Sequence, residues 1–209
     1  MRKIIAGWLA GIWLCLLLVR LPVQAANLAE PIQAQAYVLM EQESGTVLAE
    51  EQADVPLPMG MMAKLMTVLL AAEQLESGAW TLETVLTASD VVNTCEGATV
   101  WLTAGETMTV SDLLKAVIIG NANDAAAVLA EGVSGSVPAF VMEMNARAFD
   151  LGMHQTIFTN PQGYDDEKQC TTARDLAKLC QRLAKYETLQ PYFQTWRDFF
   201  AGRSNGTCQ

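Results

Sequence analysis

The chain has 209 residues, 51% hydrophobic and only 17% charged, which is the size of one ordinary domain and too apolar for a disordered chain. Thirteen Lys and Arg against 23 Asp and Glu leave a net charge of −10, a surface that repels phosphate backbones and argues against charge-driven nucleic-acid binding. A single histidine, His154, argues against His-rich metal sites and against a Ser-His-Asp triad.

In chain order, Met1 to Ala25 reads as a secretory signal peptide. Arg2 and Lys3 form a basic start, Ile4 to Val19 an apolar stretch, and Val23-Gln24-Ala25 a small-residue cleavage pattern. The stretch is 16 residues long and bounded by Arg20, short for a spanning helix; left uncleaved, it would associate the protein with a membrane. The expected organisation is therefore a signal over 1–25 and one domain over 26–209, exported to the cell wall or the outer face of the cytoplasmic membrane. Cys15 leaves with the signal. Cys95, Cys170, Cys180 and Cys208 remain, an even number for an oxidising compartment. They allow three disulfide pairings, with free buried thiols as the alternative, and their spacing fits no zinc knuckle.

Ala36 to Gln42 and Thr46 to Glu50 form a candidate hairpin around Ser44-Gly45. Leu65, Leu69, Ala72 and Leu75 recur at helical spacing in Met61 to Leu75, which ends at Glu76-Ser77-Gly78. Short strands are expected at Val85 to Thr87 and Thr99 to Leu102. Thr109, three residues before Asp112, opens a helix over Val110 to Ile119. Asn123 or Asp124 is a candidate cap for Ala125 to Glu131. Pro138 starts a helix through Asp150; Asn160-Pro161-Gln162-Gly163 is a turn; Thr172 caps Ala173 to Tyr186. Helices dominate, so the expected class is α+β, a helical cluster on a small antiparallel sheet.

Three segments carry chemistry: LPMGMMAKLMT (57–67), IIGNANDAAAVLAE (118–131) and FTNPQGYDDEKQCTTARDLAKL (158–179). With SGTVLAE, WLTAGETMTVSDLLKA and TTARDLAKLCQRL, they resemble the penicillin-binding-type serine D-alanyl-D-alanine carboxypeptidases from about Ala36 to about Phe200. The resemblance implies a β-lactamase-like fold and trimming of peptidoglycan stem peptides ending in D-Ala-D-Ala, with no cofactor and no metal. Such enzymes use Ser-x-x-Lys, Ser-x-Asn and Lys-Thr-Gly motifs. Serine and lysine three apart on one helix face let a partly neutral amine take the hydroxyl proton.

This chain departs from that pattern at both serines. Lys64 matches the motif lysine, and Met61 stands at the nucleophile position; a thioether has no proton to lose. Asn123 matches the motif asparagine, as substrate ligand or as helix cap, while Asn121 replaces the second serine. No Lys-Thr-Gly follows within the 209 residues, and Ala201 to Gln209 adds no closing element, which reads either as a flexible tail or as a truncated chain lacking late strands. Thr67 matches a family threonine that is not the nucleophile, and Ser89 and Ser111 lie elsewhere in the family layout. The resemblance thus implies a catalytically silent copy, with a wall-peptide-binding or regulatory protein, or a gene remnant, as alternatives. His154 reads as a surface or packed residue, Asp165-Asp166-Glu167 as a solvated acidic loop, Trp80, Trp101 and Trp196 as packing residues, with stacking on a sugar ring as the alternative for an exposed tryptophan, and Met59 to Met66 as an adaptable apolar groove.

Overall fold

Helix α1 (Ala63–Glu76) has apolar residues on every face of its first three turns, so it has to run through the interior. A computed structural model, describing residues 32–198, shows this: Ala63, Met66 and the run Val68 to Ala72 are buried. A boundary falls between Ala34 and Gln35, and every element described here belongs to the unit that begins at Gln35. Around α1 pack α2 (Val110–Ile118), α3 (Asn123–Ser134), α4 (Val137–Asp150) and α5 (Ala173–Leu183); a short α6 (Gln190–Phe193) rests on α2. Helix α3 is buried from Asn123 to Ala130, and its small side chains permit close approach. Gly132 shows how close: a Cβ there would stand 2.7 Å from Leu86 Cδ1 and 3.2 Å from Trp80.

The α+β expectation holds. The strands form three two-stranded antiparallel ribbons among the described residues. Strand β1 (Tyr37–Met40) pairs with β2 (Val47–Glu51), with a bulge between Leu39 and Met40; β3 (Leu57–Pro58) pairs with β6 (Cys170–Thr171); β4 (Val85–Thr87) pairs with β5 (Thr107–Thr109). The smallest ribbon matters most for the site. By setting Pro58 opposite Cys170, it brings the loop before β6 against the start of α1. The caps follow their local chemistry, since Thr109, Ser136 and Thr172 accept the backbone N–H of Asp112, Ala139 and Asp175.

Several expectations are corrected. Thr99 to Leu102 is not a strand, because the Asp124 carboxylate takes the amides of Val100 and Leu102 that a ladder would need. Asn123 is not a cap: Ala122 holds that position, and the helix runs on past Gly132 to Ser134, where Gly135 ends it at φ +76°. The helix at Ala173 stops at Leu183, short of Tyr186, and the helix expected from Met61 opens as a 3₁₀ turn, Gly60–Met62. Trp101 and Trp196 do not pack: they are 71% and 97% exposed, while Trp80 does join the core. The methionine run divides, with Met59 and Met66 in the core and Met61 and Met62 exposed. Cys95, Cys170 and Cys180 are free thiols; Cys208, Cys15 and the expected signal segment lie outside the described residues.

Candidate active site

Lys64 sits in the first turn of α1 and is only 6% exposed, not the solvated lysine that this residue type usually is. Its Nζ donates to the Gln162 carbonyl at 2.6 Å, and burial lowers its pKa to about 8. One helical turn on, Thr67 Oγ1 donates to the Pro161 carbonyl at 3.1 Å. The same face of α1 therefore holds two successive carbonyls of the Asn160–Gly163 turn.

That turn is locked from within. Asn160 Oδ1 accepts from Gly163 N and Tyr164 N at 2.7 and 2.8 Å, and the buried Gln169 side chain accepts from Thr159 N and Asn160 N while donating to Tyr164 O. Gly163 is required twice: its φ is +86°, and a Cβ would stand 2.2 Å from the Gly60 carbonyl oxygen. Its backbone thus lies directly on the 3₁₀ turn that carries Met61.

Asn123, buried at the start of α3, donates Nδ2 to the Glu96 carbonyl at 2.6 Å and its own N–H to the Ala98 carbonyl at 2.7 Å. The Tyr164 hydroxyl closes on the same loop, accepting from Glu96 N at 2.8 Å and donating to Glu96 O at 3.1 Å. Cys95, half-buried, lies among these groups: Gln162 Nε2 approaches its sulfur at 4.0 Å, and the thiol faces the Asn123 carbonyl at 3.8 Å. Burial is the main cause that raises the Cys95 and Tyr164 pKa values, so both stay protonated at neutral pH. Asn121 occupies the left-handed region at φ +53°, a conformation that asparagine tolerates better than most residues.

The structure thus joins Lys64 and Asn123 through Gln162, Cys95, Glu96 and Tyr164, none of which the sequence placed at the site. The turn read at Asn160 to Gly163, whose Pro and Gly announce a fixed backbone, is the signal for Gln162 and its neighbour Tyr164; Cys95 and Glu96 carry none. Met61, three residues before Lys64, is 59% exposed and ends in a thioether. Ser89 and Ser111 do not stand in for a hydroxyl: Ser89 donates to Glu131 at 2.6 Å and Ser111 shares a hydrogen with Tyr192. His154 is exposed and meets Phe149 edge-on, and Asp165, Asp166 and Glu167 are solvated. Among the described residues, no group of three or more His, Cys, Asp or Glu is arranged to hold a metal ion, and no single helix is long and apolar enough to cross a membrane.

A buried lysine at the head of a central helix, facing an asparagine loop, on a helical cluster with small ribbons, defines a penicillin-binding-type fold. Solved structures agree. The D-alanyl-D-alanine carboxypeptidase DacD from Francisella tularensis superposes with a TM-score of 0.75 at 28% identity, over 78% of this chain and 40% of that one. Penicillin binding protein 5 from Haemophilus influenzae gives 0.70 at 32%, over 74% and 46%. The sequence profile of the D-alanyl-D-alanine carboxypeptidases matches residues 23–206, and the chain belongs to that family. It is 35% identical to the D-alanyl-D-alanine carboxypeptidase DacF of Bacillus subtilis over 167 residues, 80% of this chain and 43% of that protein. With DacC of Escherichia coli the identity is 37% over 161 residues, 74% and 40%. The chain thus spans about two fifths of the length of these curated relatives.

Proposed function

We propose that this protein is an extracytoplasmic member of the carboxypeptidase family that binds peptidoglycan stem peptides ending in D-Ala-D-Ala without hydrolysing them. The observation that carries the reading is the mismatch at the head of α1. Lys64 is buried, hydrogen-bonded and close to half neutral near pH 8, the condition for taking a proton from a neighbouring hydroxyl. Met61 offers no hydroxyl to give.

Without an attacking oxygen, no acyl-enzyme forms at this position, and only binding contributions survive. Asn121 removes the second hydroxyl, so a proton relay through that loop is also missing. What remains suits recognition. The locked turn at Asn160–Gly163 and the Asn123–Glu96–Tyr164 loop hold their backbones rigidly, so the ordering cost of binding has already been met. The relatives' carboxypeptidase activity supports the choice of peptide and the location outside the cytoplasm.

Incubation with a fluorescent penicillin, followed by denaturing electrophoresis, tests the loss of acylation. No covalent band is expected from the native chain. A band that prior unlabelled penicillin blocks would overturn the reading. Met61→Ser restores a hydroxyl beside the surviving amine and should label at least about tenfold faster than the native chain. Calorimetry with an acetylated D-Ala-D-Ala peptide tests retained binding; no heat at millimolar peptide leaves a folded remnant instead.

A further inference from the structure

Trp101 is held in a state that neither its backbone nor its side chain favours. Its φ is +54°, in the left-handed region where a bulky aromatic residue is an outlier. Its indole is 71% exposed, so burial does not repay the strain. What holds it there is the Asp124 carboxylate, itself only 1% exposed. Both oxygens accept Val100 N at 3.1 Å, and Oδ2 also accepts Leu102 N at 2.9 Å, so the clamp grips the backbone on either side of Trp101. Trp196 is also exposed but lies on ordinary backbone, which shows that exposure alone needs no such device.

The clamp belongs to the rim of the candidate site. Asp124 follows Asn123 directly, and Asn123 fixes the loop at Glu96 and Ala98. From Glu96 to Trp101 the chain is five residues, which keeps Trp101 within at most about 17 Å of the loop that Asn123 fixes. Strain that is over-determined by buried partners and ends in a presented side chain points to a ligand. The presented surface is flat, apolar and uncharged on a protein of net charge −10, which suits a neutral ring with an apolar face rather than an anion.

We infer that Trp101 is a stacking platform for an N-acetylated sugar ring of the glycan that carries the bound peptide, an inference that rests on the peptide-binding reading. The indole covers the C–H face of the ring, and the Asp124 clamp keeps it turned outward before the ligand arrives. No bond forms or breaks.

Calorimetry on the full chain with three probes tests this: an acetylated D-Ala-D-Ala peptide, the same peptide on an N-acetylglucosamine–N-acetylmuramic acid disaccharide, and a β-1,4-linked N-acetylglucosamine tetramer. The disaccharide peptide should bind about tenfold tighter than the bare peptide, one aromatic contact's worth. W101A should erase that gain and leave peptide affinity unchanged, W101F should keep part of it, and W196A should keep all of it. W101G, free of the left-handed penalty, should melt above W101A yet bind sugar no better, which a packing role would not produce. A gain that is absent, or that survives in W101A, overturns the platform and leaves the peptide reading intact. Tetramer binding that depends on Trp101 while the peptide fails would sink the peptide reading and support the platform. Silence from all three probes overturns both.

Discussion

The interior of the site and its rim behave as two different regions. Inside, Lys64 and Thr67 grip the carbonyls of Gln162 and Pro161, and Asn123 and Tyr164 grip Glu96, all through hydrogen bonds from buried or half-buried groups. At the rim stand Met61, Met62 and Trp101, exposed and apolar. The interior holds an amine and an asparagine in place, while Met61, three residues before that amine, carries a side chain with no proton. The comparison teaches where stability resides: the interior is fastened by hydrogen bonds that the fold rests on, whereas the exposed side chains of the rim add little packing of their own.

Breaking the interior should therefore cost stability, in descending order. Gly163→Ala meets both a positive φ and the Gly60 carbonyl, and should destabilise by upwards of roughly 4 kcal/mol in urea unfolding; a loss under about 1 kcal/mol would show that the turn does not lie tightly on the Met61 segment. Asp124→Ala orphans the amides of Val100 and Leu102 and should cost about 3 kcal/mol, with faster hydrogen exchange confined first to residues 96–102. Lys64 supplies a pH signature. Its folded pKa of about 8 lies below its unfolded value of about 10.5, so the unfolded chain binds more protons between those limits and stability rises across pH 8 to 10.5. The gain should reach about 2 kcal/mol relative to Lys64→Met, whose melting temperature should lack that rise. Thr67→Val, losing one bond to Pro161, should cost about 1 kcal/mol.

Rim substitutions should do the opposite. Met61→Ala should shift stability by less than about 0.5 kcal/mol, since the side chain is mostly in water. A large loss there would erase the distinction between the two regions.

Much of the fold was legible in local chemistry. Thr109 and Thr172 cap because a hydroxyl before a helix meets its first free amides, and Val85 to Thr87 is a strand with the bounds expected of it. Thr99 to Leu102 misled because its β-favouring residues carry no sign that a carboxylate 22 residues later would claim their amides. Asn123 misled for the same reason in reverse: an asparagine before an apolar run reads as a cap, yet its side chain is spent on Glu96. At the candidate site, Lys64 and Asn123 stood at motif spacing and the turn holding Gln162 was visible, whereas the meeting of Tyr164, Glu96 and Cys95 was not, since it depends on loop packing that leaves no residue pattern.

By itself, the order of residues determined the class of elements, the family resemblance and the absent hydroxyl at position 61, because helix periodicity, capping and side-chain chemistry are local properties. Only the tertiary structure decided that the Lys64 amine is buried against Gln162, that Asp124 clamps the loop instead of capping a helix, and that Trp101 faces outward. Those depend on which distant groups meet, and burial and hydrogen-bond partners exist only once the chain has closed on itself.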